Sequence, residues 1–312
     1  MPAEPEVSVV VPARDAAATL ERALACLAAQ QLDVPYEVVV VDDGSRDATA
    51  AIASAFGPPV RVVDGAGRGA GEARNRGVAA STGRVLAFTD ADCFATPGWL
   101  AAGLAGMERA DLLQGAVEPD PGAPPRAYEH SLYVPARSGL FETANLFVDR
   151  GWFDRVGGFE DVVDTSVAQG RFGEDVWLGW RAQRLGARVG FSADALTHHA
   201  RIRRSAGEYV AERRRLRHFP ALVGAVPELR AERGCAWLFL SRRTAVFDLA
   251  VAGVVGAALS RRPALLVVVL PYAAAVLRRL GLSRPALVEV AADATGSWAL
   301  LRGSAHARVP LL

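Results

Sequence analysis

Lysine is missing from this 312-residue chain, so all 35 of its basic side chains are arginine. Set against 34 acidic residues, they leave a formal net charge of +1, which excludes a global field steering the protein onto nucleic acid. The missing lysine, with abundant alanine and glycine, points to the coding bias of a GC-rich genome, although arginine does suit phosphate recognition. Cysteine is scarce too. Cys26, Cys93 and Cys235 are odd in number and far apart, with neither disulfide-framework nor zinc-ligand spacing, so a reducing cytosol fits them best. Residues 1–6 lack a basic start followed by an apolar core, and no secretory leader is expected there. No repeat of solenoid length is present. No apolar run reaches the roughly 20 uninterrupted residues of a membrane-crossing helix.

What is present is unevenly distributed. The chain is 51% hydrophobic with a mean hydropathy of +0.17, high for a freely soluble enzyme, and the excess lies after residue 235. The length allows one domain of about 200 residues plus an appendage.

The first half alternates strand and helix signals. Residues 7–11 form a β-branched run that reads as a buried strand, and Asp15 is a plausible N-cap for a helix toward Gln30. Residues 37–41 and 60–63 read as further strands with a helix to about Phe56 between them, then a glycine-rich loop at 65–71 and a helix at 72–80. Residues 84–89 are a fourth strand, and Pro97 suits the first position of the next helix. A Pro/Gly-rich loop at 119–125 precedes a less regular stretch, in which 173–185 reads as a helix and 187–191 as a short strand before His198 and His199. Strands alternating with crossover helices predict an α/β fold with a mostly parallel sheet.

In such sheets ligands bind beyond the carboxyl ends of the strands. Two acidic clusters fall at such ends: Asp42-Asp43-Gly44-Ser45 and Asp90-Ala91-Asp92. Two Asp separated by one small residue can share one hard cation, and magnesium typically takes one or two carboxylates plus substrate phosphates. Either cluster taken alone is equally a turn or a helix cap. The glycine loop is no Rossmann fingerprint, which should follow the first strand, where Pro12-Ala13-Arg14 stands instead.

Together the segments resemble the family-2 glycosyltransferases of the GT-A fold. The matching pieces are 7–12, Val41-Asp42-Asp43-Gly44-Ser45, Gly71-Glu72-Ala73-Arg74-Asn75-Arg76-Gly77, Asp90-Ala91-Asp92, Val156-Gly157-Gly158-Phe159 and Gly173-Glu174-Asp175-Val176, so the likeness covers roughly residues 7–199. The resemblance implies a nucleotide-diphosphate-sugar donor contacted by Pro12, Asp42, Asp43, Arg74 and Asp90. It implies a divalent cation, Mn2+ or Mg2+, held by Asp90 and Asp92, with Asp92 the surer ligand. Some members add a His about two dozen residues beyond the base, and His199 fits that spacing slightly better than His198. Asp175 would be the catalytic base, although a first-turn acid facing the helix dipole is its bland alternative. One base, one metal and no second nucleophile imply inversion at the anomeric carbon. The Gln-x-x-Arg-Trp motif of processive members is absent, because Arg181-Ala182-Gln183-Arg184-Leu185 stands there, so a non-processive enzyme is expected. The stretch 161–171 looks longer than usual, which makes the acceptor side unusual.

Three regions are therefore expected: a GT-A domain at 1–200, a basic amphipathic helical linker at 201–234 and a hydrophobic helical region at 235–312 that associates with a membrane. Apolar runs at 245–259 and 263–277 are about 15 residues each, and a third at 285–301 is broken by Glu289 and Asp293. Arginine pairs at 242–243, 261–262 and 278–279 bracket the first two. A two-span hairpin would leave one pair outside, against the positive-inside tendency, so a monotopic or re-entrant hairpin on the cytoplasmic side is expected. The basic stretch 201–217 suits anionic headgroups or a lipid-linked phosphate, and its lack of interleaved aromatics speaks against nucleic acid. The expected partners are the donor, a glycan or lipid-linked acceptor of the cell envelope, and the membrane surface. The competing readings are a catalytically silent membrane scaffold of the same fold and a sugar nucleotidyltransferase.

Overall fold

The structure is a computed structural model and describes residues 4–160, 172–233 and 238–312. The expected long acceptor-side stretch, 161–171, and Cys235 lie outside the described residues. Two compact units emerge: residues 1–125 with 130–202, and residues 126–129 with 203–312.

The first unit is built on one sheet. Its strands in chain order are β1 (Val7–Ala13), β2 (Tyr36–Asp42), β3 (Val60–Asp64), β4 (Val85–Thr89), β5 (Cys93–Ala95), β6 (Leu112–Pro119), β7 (Asn145–Asp149) and β8 (Val189–His199). They lie side by side in the order β3-β2-β1-β4-β7-β6-β8-β5. The first four run parallel. The valine runs of β1 and β2 and the apolar β4 are what strands covered on both faces require, and Val9, Val10, Val39, Val40 and Phe88 are fully buried. Beyond β4 the sheet is mixed: β7 is antiparallel to β4 and β6, β8 is parallel to β6, and β5 is antiparallel to β8.

The helices of this unit are α1 (Leu20–Ala28), α2 (Thr49–Phe56), α3 (Ala70–Ala79), α4 (Trp99–Met107), α5 (Arg150–Val156) and α6 (Glu174–Arg184). α3 lies directly on the sheet, and a Cβ added at Gly77 would come within 2.4 Å of Val10 Cγ1. Asn145 fixes the mixed half: its Nδ2 donates to the Ala116 and Ala195 carbonyls, each at 2.7 Å, and its Oδ1 accepts from Trp99 Nε1 at 2.8 Å.

Three local expectations need correction. Asp15 does not cap α1, which begins five residues later after Thr19. Instead Asp15 Oδ1 accepts from the Arg46 N–H at 2.7 Å, and its own N–H donates to Ser45 Oγ at 3.0 Å, tying the end of β1 to the turn after β2. Pro97 precedes the Gly98 cap of α4 and does not open the helix. β8 runs on from the expected short strand to His199, through an irregularity opposite Gly115/Ala116 that a hydropathy pattern does not show.

The second unit holds α7 (Ala206–Glu212), a 3₁₀ helix (Arg213–His218), α8 (Phe219–Ala225), α9 (Leu229–Arg233), α10 (Arg242–Ser260), a second 3₁₀ helix (Pro263–Val269), α11 (Leu270–Leu280) and α12 (Arg284–Ala307). Glu289 and Asp293, which interrupt the third apolar run, are buried and half-buried on α12, and both are paired. Asp293 accepts from Arg243 Nε and from the Tyr272 hydroxyl, both at 2.8 Å, and Glu289 accepts from the Tyr209 hydroxyl at 2.9 Å and pairs with Arg279. α10 is longer than its apolar run because the Ser241–Thr244 capping box starts it at Arg242. With 19 residues it extends about 28 Å, near the thickness of a bilayer core. The stretches Arg242–Ser260 and Pro263–Leu280 are both long and apolar enough to cross a membrane, with mean hydropathy 1.4 and 1.6. Of their residues only 22% and 0% are buried, so neither is a core helix of this unit.

Candidate active site

Because β1 lies between β2 and β4, the carboxyl ends of these three strands adjoin, bringing Pro12, Asp42 and the Asp90 segment to one edge of the sheet. Asp43 is 3% exposed, and its carboxylate is engaged by the glycine loop: Oδ1 accepts from Arg68 N–H and Oδ2 from Gly69 N–H, each at 2.8 Å. The loop passes so close that a Cβ on Gly65 would lie 2.9 Å from Asp43 Cα. Asp42 is partly exposed, and its Oδ1 accepts from Ser45 N–H at 3.2 Å, closing the turn. Of the two expected donor contacts on this turn, Asp42 thus keeps a free edge while Asp43 acts by shaping the loop.

Arg74 lies on α3, which that loop launches. Its guanidinium is buried, with Nη2 2.8 Å from Asp90 Oδ1 and Nη1 3.5 Å from Glu174 Oε1. One arginine therefore joins the Asp-x-Asp segment to the start of α6. Its Nε, also buried, has no hydrogen-bond partner among the described residues. Beside it Asn75 holds the Gly-Gly-Phe turn: Nδ2 donates to the Phe159 carbonyl and Oδ1 accepts from the Phe159 N–H, both at 2.9 Å.

Asp175 follows Glu174 in the first turn of α6, which Gly173 enters at φ 82°, a left-handed conformation that favours glycine. Its Oδ1 accepts from the Val176 N–H at 2.8 Å. Burial pushes the Asp175 carboxyl well above the usual carboxylate range. The Glu174 charge raises it further, and Arg74 and the Val176 hydrogen bond pull the other way. The Arg74 charge acts on both Asp90 and Asp175, which makes these two acids neighbours of one cation.

The Asp92 end contains a second contact. His199 is 4% exposed, and its Nδ1 lies 2.8 Å from the Ala200 carbonyl, which can only accept. Nδ1 therefore carries the proton, and in the neutral ring Nε2 presents a lone pair. That lone pair faces Asp92 Oδ2 at 3.6 Å. Two acceptors facing each other in a buried place suit a cation between them, and this donor chemistry fits a divalent metal ion. Burial pushes the Asp92 carboxyl up as well, and the neighbouring Asp90 charge reinforces it. The His130 ring stands edge-on to His199 with centroids 5.3 Å apart. His198 lies opposite Phe94, one position off in the register, and its buried Nδ1 lacks a partner among the described residues.

Sequence reasoning missed Glu174 as the partner of Arg74, Asn75 as the clamp on Phe159, and His130. Glu174 and Asn75 stood inside quoted motifs. Nothing in the sequence signals His130, which reaches His199 through the 120–141 loop and a backbone bridge to Ile202.

Relatives place this arrangement. The glycosyltransferase AglE of Haloferax volcanii is 30% identical over 210 residues, spanning 62% of this chain and 67% of that protein. The succinoglycan biosynthesis protein ExoO of Rhizobium meliloti is 41% identical over 118 residues, 37% of this chain and 33% of its own length. Among solved structures, the mannosyltransferase PcManGT from Pyrobaculum calidifontis, in complex with GDP-Man and Mn2+, superposes with a TM-score of 0.65. The match covers 98% of this chain and 88% of that one at 22% identity, a likeness of fold. The model of glycosyl transferase family 2 matches residues 8–160, which carry the glycine loop, Arg74, the Asp-x-Asp segment and the Gly-Gly-Phe turn. The chain belongs to glycosyl transferase family 2 and is a glycosyltransferase of the GT-A fold.

Proposed function

We propose that this enzyme transfers a sugar from a nucleoside-diphosphate donor to an acceptor hydroxyl, with inversion and one sugar at a time. The observation that carries the reading is His199 Nε2 facing Asp92 Oδ2 at 3.6 Å, two residues beyond the Arg74-bound Asp90. Asp90, Asp92 and His199 would hold a divalent cation, which supplies Lewis-acid neutralisation of the charge that builds on the departing nucleoside diphosphate. Arg74 fixes Asp90, and its partnerless Nε is a spare donor beside the acids. Asp42 and Pro12 contact the nucleoside, and the Asp43-anchored loop shapes its pocket.

Asp175 accepts the proton of the acceptor hydroxyl as that oxygen attacks the anomeric carbon. A carboxylate held above the ordinary range is a better proton acceptor than an ordinary one, provided it stays ionised. With Asp175 as the base, single displacement inverts the anomeric centre. Incubation with UDP-, GDP- and dTDP-sugars and manganese, followed by proton NMR of the released sugar, tests this. Inverted anomer formed only with the ion supports the reading, and retained configuration or metal-independent turnover contradicts it.

We infer further that the acceptor is membrane-presented, on the cytoplasmic side, as a lipid-linked or cell-envelope glycan. PcManGT was captured with GDP-Man and Mn2+, and ExoO is named for succinoglycan biosynthesis. Leu249, Val254, Val255, Leu266, Val267 and Leu270 are 45–61% exposed on the hairpin, and Arg242, Arg261, Arg262 and Arg278 flank it. Flotation with anionic vesicles tests the docking: Val254→Asp with Val267→Asp should abolish it. A thiol reagent reaching an Arg261→Cys variant from the enzyme's side of sealed vesicles supports a re-entrant hairpin, and reaction only from the opposite side contradicts it.

A further inference from the structure

The second cysteine of the chain, Cys93, belongs to the site itself. Cys93 opens β5 directly opposite His199 on β8 in an antiparallel register, which puts both side chains on the same face of the sheet. Cys93 is fully buried, and its Sγ is 4.0 Å from Asp92 Oδ1. The ligand atoms of Asp92, Cys93 and His199 all lie within 4.8 Å of one another. A tetrahedral ion with bonds of roughly 2.0–2.3 Å needs its ligands roughly 3.3–3.8 Å apart, so a small closing movement suffices. His199 supplies the second indication of a ligand: it is 4% exposed, its proton is committed to the Ala200 carbonyl, and its remaining nitrogen is turned toward this space.

We propose that Asp92, Cys93 and His199 form a binding site for a thiophilic divalent ion, zinc or cadmium, that competes with the oxygen-seeking ion of the transfer reaction. The two modes share Asp92 and His199 but differ in the third ligand: Asp90 serves the hard ion, Cys93 the soft one. Softness decides between them, because thiolate with imidazole selects zinc, whereas carboxylate, water and phosphate oxygens select magnesium and manganese. Binding of the soft ion converts the Cys93 thiol to a metal-bound thiolate and releases one proton to solvent. The ion is then drawn to the β5 side, away from Asp90. Zinc is on this account an inhibitor that acts at the catalytic centre. Without a ligand role, Cys93 is a small core side chain packed on Val117, Val134 and Ala144.

The proposal rests on Asp92 and His199 facing one ion, and its test is made without nucleotide, so it can fail independently of the transfer reading. Cadmium is titrated into the full chain while the ultraviolet cadmium–thiolate band is recorded, and zinc is titrated calorimetrically in two buffers of different ionisation enthalpy. We expect one thiolate per chain and one proton released. Cys93→Ala and Cys93→Ser should each lose the band and the proton and weaken zinc by about tenfold or more, while Cys26→Ala and Cys235→Ala retain both. His199→Ala should weaken cadmium while leaving every cysteine in place, which guards against a fold lost at position 93. A band absent from the unaltered protein, or one that survives in Cys93→Ala, overturns the assignment.

Discussion

Arg74 and Glu174, 100 residues apart in the chain, meet at 3.5 Å in the interior, while the same guanidinium holds Asp90 at 2.8 Å. Its single charge thus organises the start of α6 and the end of β4 together.

Removing that charge leaves two half-buried carboxylates uncompensated. Arg74→Met should cost about 3 kcal/mol in urea unfolding, and Arg74→Lys much of the same, because one ammonium cannot serve both acids. Stability within about 0.5 kcal/mol of the parent would contradict the pairing.

The acid limb of the rate profile should report Asp175. A base must be ionised, so activity falls as pH drops through a carboxyl held above the ordinary range. The groups acting on it are Glu174, Arg74 and Glu142. Glu174→Gln should move the limb to lower pH, and Arg74→Gln should move it higher. An acid limb unchanged in both variants would exclude Asp175 as the titrating group.

The same residue should lower stability. Its folded-state pKa lies above the unfolded one, so the native protein bears a cost that is fully present above the folded value and disappears as pH falls toward the unfolded one. Asp175→Asn keeps an oxygen for the Val176 N–H and should gain about 1 kcal/mol at pH 8, with the gain vanishing below roughly pH 4. Paired thermal melts at the two pH values measure it.

Asp43→Ala should free the glycine loop. Loss of two charge-assisted hydrogen bonds predicts about 2–3 kcal/mol of destabilisation and faster amide exchange at Arg68 and Gly69. Asp43→Asn keeps one acceptor and should fall between.

Gly77→Ala tests the seat of α3 on the sheet. A methyl group 2.4 Å from Val10 Cγ1 must displace helix or strand, at about 1–3 kcal/mol. Pairing it with Val10→Ala should recover part of the loss.

The strands carrying Asp42 and Asp90 were legible because a strand buried on both faces writes itself as a nearly continuous apolar run. The acids at their ends were legible because each breaks such a run. The mixed half was less so. β8 crosses Ser192 and Asp194, which break the hydropathy pattern, and its register irregularity sets which of His198 and His199 lies opposite Cys93. A one-residue slip would exchange the two faces, and no local propensity records that parity. Asp15 misled for a related reason. An acid before a helix is a good cap, but here it was recruited by Arg46 and Ser45, 30 residues away, as only the folded sheet reveals.

The division of labour between ion and base is tested most directly by calorimetric titration of GDP- and UDP-sugars, with manganese, into the parent, Asp92→Asn and Asp175→Asn, alongside transfer assays. The account predicts that Asp175→Asn binds donor like the parent but loses most transfer, and that Asp92→Asn loses manganese-dependent binding. Full binding and full turnover in both variants would contradict it.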